Sequence, residues 1–361
     1  MSTPATYAEE ALPPRRGEMP DAEALAAYLN GRLAGFHGLP EIRQYTGGYS
    51  NLTYLLTWTG GQCILRRPPA GADIRGGHDM SREYRVLRAL KPLFPQVPEA
   101  LLHCDDPSVI GAPFFLMERV EGRILRGGGK APPPPGPEAM RALSQQSVRM
   151  LARLHDIDPA GTPLEGLGRP DGYLQRQTEG WIARYRRAAT DEVDGIEETI
   201  AWMQDNMPAG SGASLIHNDF KYDNLVIDPA DPTRIRAVLD WEMATLGDPL
   251  LDLGTTLAYW SEPGDPSALM PFNLTWLPGN LGRREVAALY AEARGIAEPD
   301  LLFPYVFGCF KVGVIVQQIY ARYRKGLTAD PRFAGLKAVL EAMVGQALRA
   351  LRDGEIGSRQ A

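Results

Sequence analysis

The residues best suited to chemistry fall in one stretch and at one point beyond it. The stretch is Leu215-Ile216-His217-Asn218-Asp219-Phe220-Lys221-Tyr222-Asp223-Asn224-Leu225-Val226, and the point is Asp240-Trp241-Glu242. The core of the stretch reads H-x-D-x-x-x-x-N. An alcohol is a poor nucleophile until a carboxylate orients it and takes its proton, and Asp219 is the candidate base. Nucleotide phosphates carry too much charge to react without a divalent cation. An amide oxygen and a second carboxylate, Asn224 and Asp240, could hold Mg²⁺. Taken singly, each residue has a plainer reading: Asp219 and Asp223 as turn or capping groups, His217 as a core histidine, Asp240 as the end of a strand. Their order, with a short hairpin between Asn224 and Asp240, favours phosphoryl transfer.

Those residues need strands and turns to hold them. Leu215-Ile216 leads into the stretch and Leu225-Val226 leads out. Asp228-Pro229-Ala230-Asp231-Pro232 is a turn, and Ala237-Val238-Leu239 is the strand that delivers Asp240. Upstream, a helix is expected from its cap at Asp21 to Ala34. Three strands follow, Ile42–Thr46, Leu52–Thr59 and Gln62–Arg67, with Gly60-Gly61 as a hairpin turn. The glycine-containing loop Gly47-Gly48-Tyr49-Ser50-Asn51 could bring backbone N–H groups close to phosphates, which makes Gly48, Ser50 and Asn51 candidate nucleotide contacts. No P-loop follows a strand. A helix over Met80–Leu93, capped by Ser81, carries Glu83 in its first turn. Strands over Pro98–His103 and Ala112–Val120 complete this half.

Helices dominate from Glu138: Glu138–Asp156, Gly172–Ala188, Asp191–Met207, Arg283–Arg294, Leu302–Lys325 and Pro331–Arg352. Gly127–Pro137 is a low-complexity surface loop. Asp248 before Pro249 reads as the cap of a helix containing Asp252, and structural support is the expected role of both. The 361 residues suit two or three domains or one two-lobed enzyme, and 44% hydrophobic content is ample for real cores. A net charge of −6 argues against general nucleic-acid binding. Three widely spaced cysteines suggest neither a disulfide framework nor a zinc site. The N-terminus has no apolar signal core, and Leu301–Tyr320, interrupted by Pro304 and Lys311, reads as a buried helix rather than a membrane span. A cytoplasmic protein is expected, with no membrane or nucleic-acid partner and an oligomeric state the sequence leaves open.

These motifs are those of kinases, and the chain resembles the aminoglycoside phosphotransferase-like kinases, the phosphotransferase enzyme family, from about Ile42 to Tyr320. Gly48–Tyr54, Ile64–Pro69 and Arg82–Val86 look like the kinase domains that are fused to acyl-CoA dehydrogenases. The resemblance implies an α+β, protein-kinase-like bilobal fold, with a small antiparallel β-sheet N-lobe and a mainly helical C-lobe. The expected division is a loose arm over residues 1–20, an N-lobe over 21–119 and a C-lobe over 120–361. It implies ATP, or GTP as in some relatives, with Mg²⁺. By position Asp219 is the base, Asn224 and Asp240 the metal ligands, Arg66 a phosphate contact where kinases carry a lysine, and Glu83 its partner. The sheet exit from Glu118 through Val120 would meet the adenine edge. Two plainer readings stay open: Arg66 as one of two surface arginines, and Glu83 as an acid favoured at a helix N-terminus.

Asn218 stands where protein kinases carry the arginine of His-Arg-Asp, and Asp240-Trp241-Glu242 stands for Asp-Phe-Gly. Both departures point to a small-molecule hydroxyl acceptor rather than a protein. A hydroxyacyl-CoA is one candidate, which the resemblance to the dehydrogenase-fused branch suggests. Arg184, Arg186, Arg187 and the Arg322–Lys325 cluster could hold its phosphates, or could simply be cations at helix C-termini. The alternatives are a nucleotide-binding pseudokinase and an aminoglycoside-modifying phosphotransferase. The latter's polycationic substrate would want an acidic pocket, such as Asp191–Asp194 with Glu197 and Glu198 could form.

Overall fold

The computed structural model describes residues 11–45, 51–69, 78–127, 133–328 and 331–357. The chain forms two compact units. Unit 1 comprises Met1–Ile124, Leu225–Asp231 and Ile235–Ala244; unit 2 comprises Leu125–Asn224, Pro232–Arg234 and Thr245–Ala361. The hairpin that delivers Asp240 therefore clusters with the N-terminal unit, although the chain on either side belongs to unit 2.

Unit 1 is built on a five-stranded antiparallel sheet. Its strands are β1 (Glu41–Tyr45), β2 (Leu52–Trp58), β3 (Gly61–Arg67), β4 (Ala100–Cys104) and β5 (Phe114–Met117), in the order β1-β2-β3-β5-β4. Period-two alternation sorts its side chains. Tyr54, Leu56, Cys63, Leu65, Phe114 and Leu116 share one core with Leu25 and Leu29 of helix α1 (Ala22–Leu29). The intervening residues of β3, Ile64 and Arg66, point the other way. Helix α2 (Met80–Leu90) packs against β4 and β5. A second, three-stranded sheet joins β6 (Arg123–Ile124), β8 (Leu225–Ile227) and β9 (Ile235–Val238). Asp228 closes its turn by accepting from the Ala230 N–H and pairing with Arg236.

Several expectations shift at element ends. α1 stops at Leu29, because Asn30 is extended and Gly31 takes a φ of +74°. α2 is capped by Asp79, which accepts from the Arg82 N–H, and not by Ser81. Within residues 11–20, Leu12 forms an isolated antiparallel bridge with Gln44, and the Glu18 carbonyl accepts from Tyr54 and Arg67. Gln44 is buried, and its side-chain amide is satisfied by donating to the Glu18 carboxylate and accepting from the Arg15 N–H.

Unit 2 is mainly helical: α3 (Pro137–His155), α4 (Tyr173–Ala188), α5 (Ile196–Asp205), α6 (Pro249–Tyr259), α7 (Arg283–Arg294), α8 (Leu302–Arg324) and α9 (Leu336–Asp353). A short pair, β7 (Ser214–Ile216) with β10 (Thr245–Gly247), precedes α6. α5 begins five residues later than expected, after Gly195 at φ +78°. α8 is long and apolar enough to cross a membrane, but 78% of its most apolar window is buried inside the protein, where it packs on α6 and α9. The α6–α8 crossing is tight: a Cβ on Gly308 would lie 2.3 Å from the Gly254 carbonyl oxygen. All three cysteines are buried and free.

Asp248 caps α6. Its carboxylate accepts from the Leu250 and Leu251 N–H groups and also from the Ser211 N–H at 2.7 Å. Asp248→Ala should therefore cost about 1–2 kcal/mol of stability in urea unfolding, the usual worth of a lost N-cap.

Candidate active site

The H-x-D stretch leaves β7 and turns sharply. His217 is fully buried, and its Nδ1 accepts the Asp219 N–H at 3.2 Å. Asn218 has a φ of +69°, a left-handed conformation uncommon outside glycine, though Asn tolerates it better than most. Asp252 of α6 holds this turn from the N–H side. Its Oδ2 accepts from the His217 N–H (2.8 Å), its Oδ1 from the Asn218 N–H (2.7 Å), and Oδ2 also meets His155 Nε2 of α3 at 3.0 Å. Burial alone would raise the Asp252 carboxyl. The hydrogen bond and charge of His155, with His217 and Lys311, hold it below the usual carboxylate range.

The turn delivers Asp219, whose two carboxylate oxygens each lie 2.8 Å from Lys221 Nζ. The Asn224 amide nitrogen donates to Asp219 Oδ2 at 2.9 Å and to its carbonyl at 2.8 Å. That leaves the Asn224 amide oxygen without a protein partner among the described residues. Lys221 sits 4.6 Å over the Tyr259 ring. Burial works to lower its ammonium, but Asp219 outweighs burial and holds it well above its ordinary value.

Unit 1 carries the second group. Arg66 Nη1 donates to Glu83 Oε1 at 2.9 Å, and its Nη2 reaches Asp240 Oδ1 (3.1 Å) and Glu242 Oε2 (3.2 Å). Arg66 is buried, so the surface-arginine reading fails. Arg67 is buried too, and strand alternation turns it to the opposite face, onto the Ile110 and Glu18 carbonyls. Burial opposes the Arg66 charge, but the three carboxylates keep it ionised. Burial pushes Glu83 up to about 7, with Arg66 opposing and Asp240 adding to the rise. Asp240 has a φ of +66°, the other non-glycine residue of that kind among those described. Arg82 fixes the segment by donating to the carbonyls of Glu242 and Ala244.

One guanidinium against three carboxylates leaves this group net negative, since Asp240 and Glu242 outnumber Arg66 whether or not Glu83 holds a proton, which suits a hard divalent cation. No set of three or more His, Cys, Asp or Glu side chains among the described residues forms a metal cage. Each unit, taken by itself, carries an oxygen donor of the kind Mg²⁺ takes beside waters and phosphate oxygens: the Asp240 carboxylate in unit 1 and the Asn224 amide oxygen in unit 2.

The structure thus gathers Arg66, Glu83 and Asp240 in unit 1, and Asp219 with Asn224 in unit 2. Asn51 joins the first group by donating to Glu242 Oε2 at 2.7 Å, and its own amide oxygen meets His78. Glu118 is engaged elsewhere, with its side chain on Lys91 and the Glu99 N–H and its own N–H on the Glu99 carbonyl. Val120 is half-buried beyond the end of β5. Gly48 and Ser50 lie outside the described residues. Of the basic residues considered for an acyl-CoA, Arg186 pairs with Glu197, Arg324 pairs with Asp191, and Arg184 stacks 4.6 Å over the Trp181 ring. Sequence reasoning missed Lys221, Arg82 and His155. Lys221 had a signal in its place two residues after Asp219; the other two act across more than 90 residues and leave no local trace.

The profile of the Phosphotransferase enzyme family matches residues 41–289. The chain belongs to that family. It is 36% identical over 322 residues to acyl-CoA dehydrogenase family member 11 of Gallus gallus, covering 86% of this chain and 41% of that protein. The chain therefore spans about two fifths of that curated relative. A solved structure from Ralstonia eutropha JMP134, assigned to the aminoglycoside phosphotransferases, superposes with a TM-score of 0.74 at 28% identity, covering 92% of this chain and 99% of that one. Choline kinase from Cryptosporidium parvum shares the fold at a TM-score of 0.60 and 13% identity, covering 92% of this chain and 97% of that one. The architecture is the α+β, protein-kinase-like fold, and the family is one of phosphotransferases.

Proposed function

We propose that this phosphotransferase moves the γ-phosphate of ATP to a hydroxyl of a small metabolite. The observation that carries this reading is the Asp219 carboxylate, held by Lys221 and Asn224 at the end of a left-handed turn. That degree of fixation suits a base that must meet an acceptor hydroxyl in one geometry. In this reading Asp219 orients the hydroxyl and takes its proton. Lys221 holds the carboxylate in place through contacts to both of its oxygens. Arg66, aligned by Glu83, contacts the phosphates. Asn224 and Asp240 would hold Mg²⁺, which neutralises phosphate charge when bound. A hydroxyacyl-CoA is the acceptor we favour, on the likeness to an acyl-CoA dehydrogenase family member. The Arg186–Glu197 and Arg324–Asp191 pairs bear equally on the acyl-CoA and the polycationic readings, since they engage the cations of one and the carboxylates of the other.

The test is phosphate transfer from labelled Mg·ATP across hydroxyacyl-CoAs, sugars, amino alcohols and aminoglycosides. Asp219→Asn should cut turnover by about 10²–10⁴-fold with nucleotide affinity within about twofold, since the amide keeps the side chain's shape but cannot take the proton. Turnover that survives this change would remove Asp219 from the role of base. Nucleotide binding with no transfer to any acceptor would favour a pseudokinase.

A further inference from the structure

Lys311 is the single charge within Phe303–Tyr320 of α8, and it is 1% exposed. An ammonium is costly to bury, and a methionine would fill the same space without that cost. What the lysine gains is specific. Its Nζ donates to the Asn218 carbonyl and to Asn218 Oδ1, both at 2.9 Å. Its other neighbour is the Trp181 ring, 5.9 Å away. Asn218 is thus gripped on both sides, its N–H by Asp252 and its carbonyl by Lys311, in a backbone conformation it would not hold unaided.

We infer that Lys311 is a positioning residue for Asp219: it clamps Asn218 in the left-handed turn and so fixes the peptide from which the Asp219 side chain departs. This rests on the phosphotransferase reading and concerns the same site. The charged groups facing Lys311 are Asp252 from α6, Asp219 and Lys221 from the loop, and Arg184 from α4. Burial pushes the ammonium down to about 8; Asp252 and Asp219 work against that, Lys221 and Arg184 with it. The clamp is strongest while the amine is protonated and weakens as pH rises through that value.

The experiment uses the full chain with Mg·ATP and water as the acceptor, Mg·ADP binding by calorimetry, and amide hydrogen exchange. Lys311→Met should lower Asp219-dependent turnover by about 10²-fold, the scale of a slightly misplaced reacting group. Mg·ADP affinity should stay within about twofold, since nucleotide contacts are assigned elsewhere. Exchange should quicken over residues 215–224. Lys311→Arg should recover turnover and move the alkaline limb expected near pH 8 in the wild type upward by about one unit or more, because a guanidinium stays charged. Wild-type turnover and unchanged exchange at 215–224 in Lys311→Met would overturn the inference and leave the phosphotransferase reading standing. Should the methionine variant not fold, an unmoved alkaline limb in Lys311→Arg overturns it. Wild-type turnover indifferent to Asp219→Asn would overturn the reading, and the inference with it.

Discussion

Asp252→Ala is expected to lose about 3–5 kcal/mol of stability, the scale of breaking a buried charged network, together with nearly all phosphate transfer. Three donors converge on this carboxylate: the N–H groups of His217 and Asn218 and the ring of His155. Alanine leaves all three unmet in a fully buried site. Asp252→Asn keeps the volume but has one acceptor oxygen where three donors point, so it should fall between wild type and alanine. Urea unfolding and labelled-ATP turnover check both. The pH dependence has a definite sign. Folding holds the Asp252 carboxyl below its ordinary value, so its ionised form stabilises the native state. That stability is present above the unfolded-state value near about 4 and drains away as acid protonates the folded carboxylate. A wild-type protein whose acid sensitivity matches that of Asp252→Asn would contradict this account.

Arg66→Met should be nearly as damaging, through a different mechanism. The guanidinium is the partner that Glu83, Asp240 and Glu242 share, and removing it leaves three carboxylates facing one another, with Glu83 buried and Asp240 partly exposed. They must repel one another or take up protons. The expected loss is about 3–5 kcal/mol of stability and about 10²-fold or more in Mg·ATP affinity, since the phosphate contact proposed for Arg66 would disappear as well. Arg66→Lys restores the charge but not the fork that reaches Glu83 and Asp240 at once, so it should recover stability better than affinity. Calorimetric titration with Mg·ATP beside denaturant unfolding separates the two effects. Added salt should rescue little at Glu83, because the Arg66–Glu83 pair is shielded from screening.

The sequence was most informative where function depends on local order. Asp219 lies in the turn after β7, Asn224 ends a short helical turn before β8, and Asp240 lies two residues past β9; period and turn chemistry place such elements. The Arg66–Glu83 pairing was also legible, because a strand residue and the first turn of the next helix are only 17 positions apart. Contacts across long separations were not legible. Arg66 meets Glu242 across 176 positions and Lys311 meets Asn218 across 93, distances over which neither alternation nor capping carries information. Lys311 could be seen only as a charge interrupting an apolar helix. Element ends slipped for a local reason: Asp79 and Ser81 are both good caps, and the choice between them is decided by which backbone turns extended.

The fastening of the Asp219 turn draws on His155, Asp252 and Lys311, three helices spread over more than 150 positions. A nascent chain has the turn itself once Asn224 has been made, but its last fastener only after α8 has been synthesised and docked. Contacts of such long reach form late, since loop closure must precede them. Competence should therefore arrive in a single step near the end of folding, and a product cut short before α8 should bind no acceptor productively, however well its remaining parts hold together.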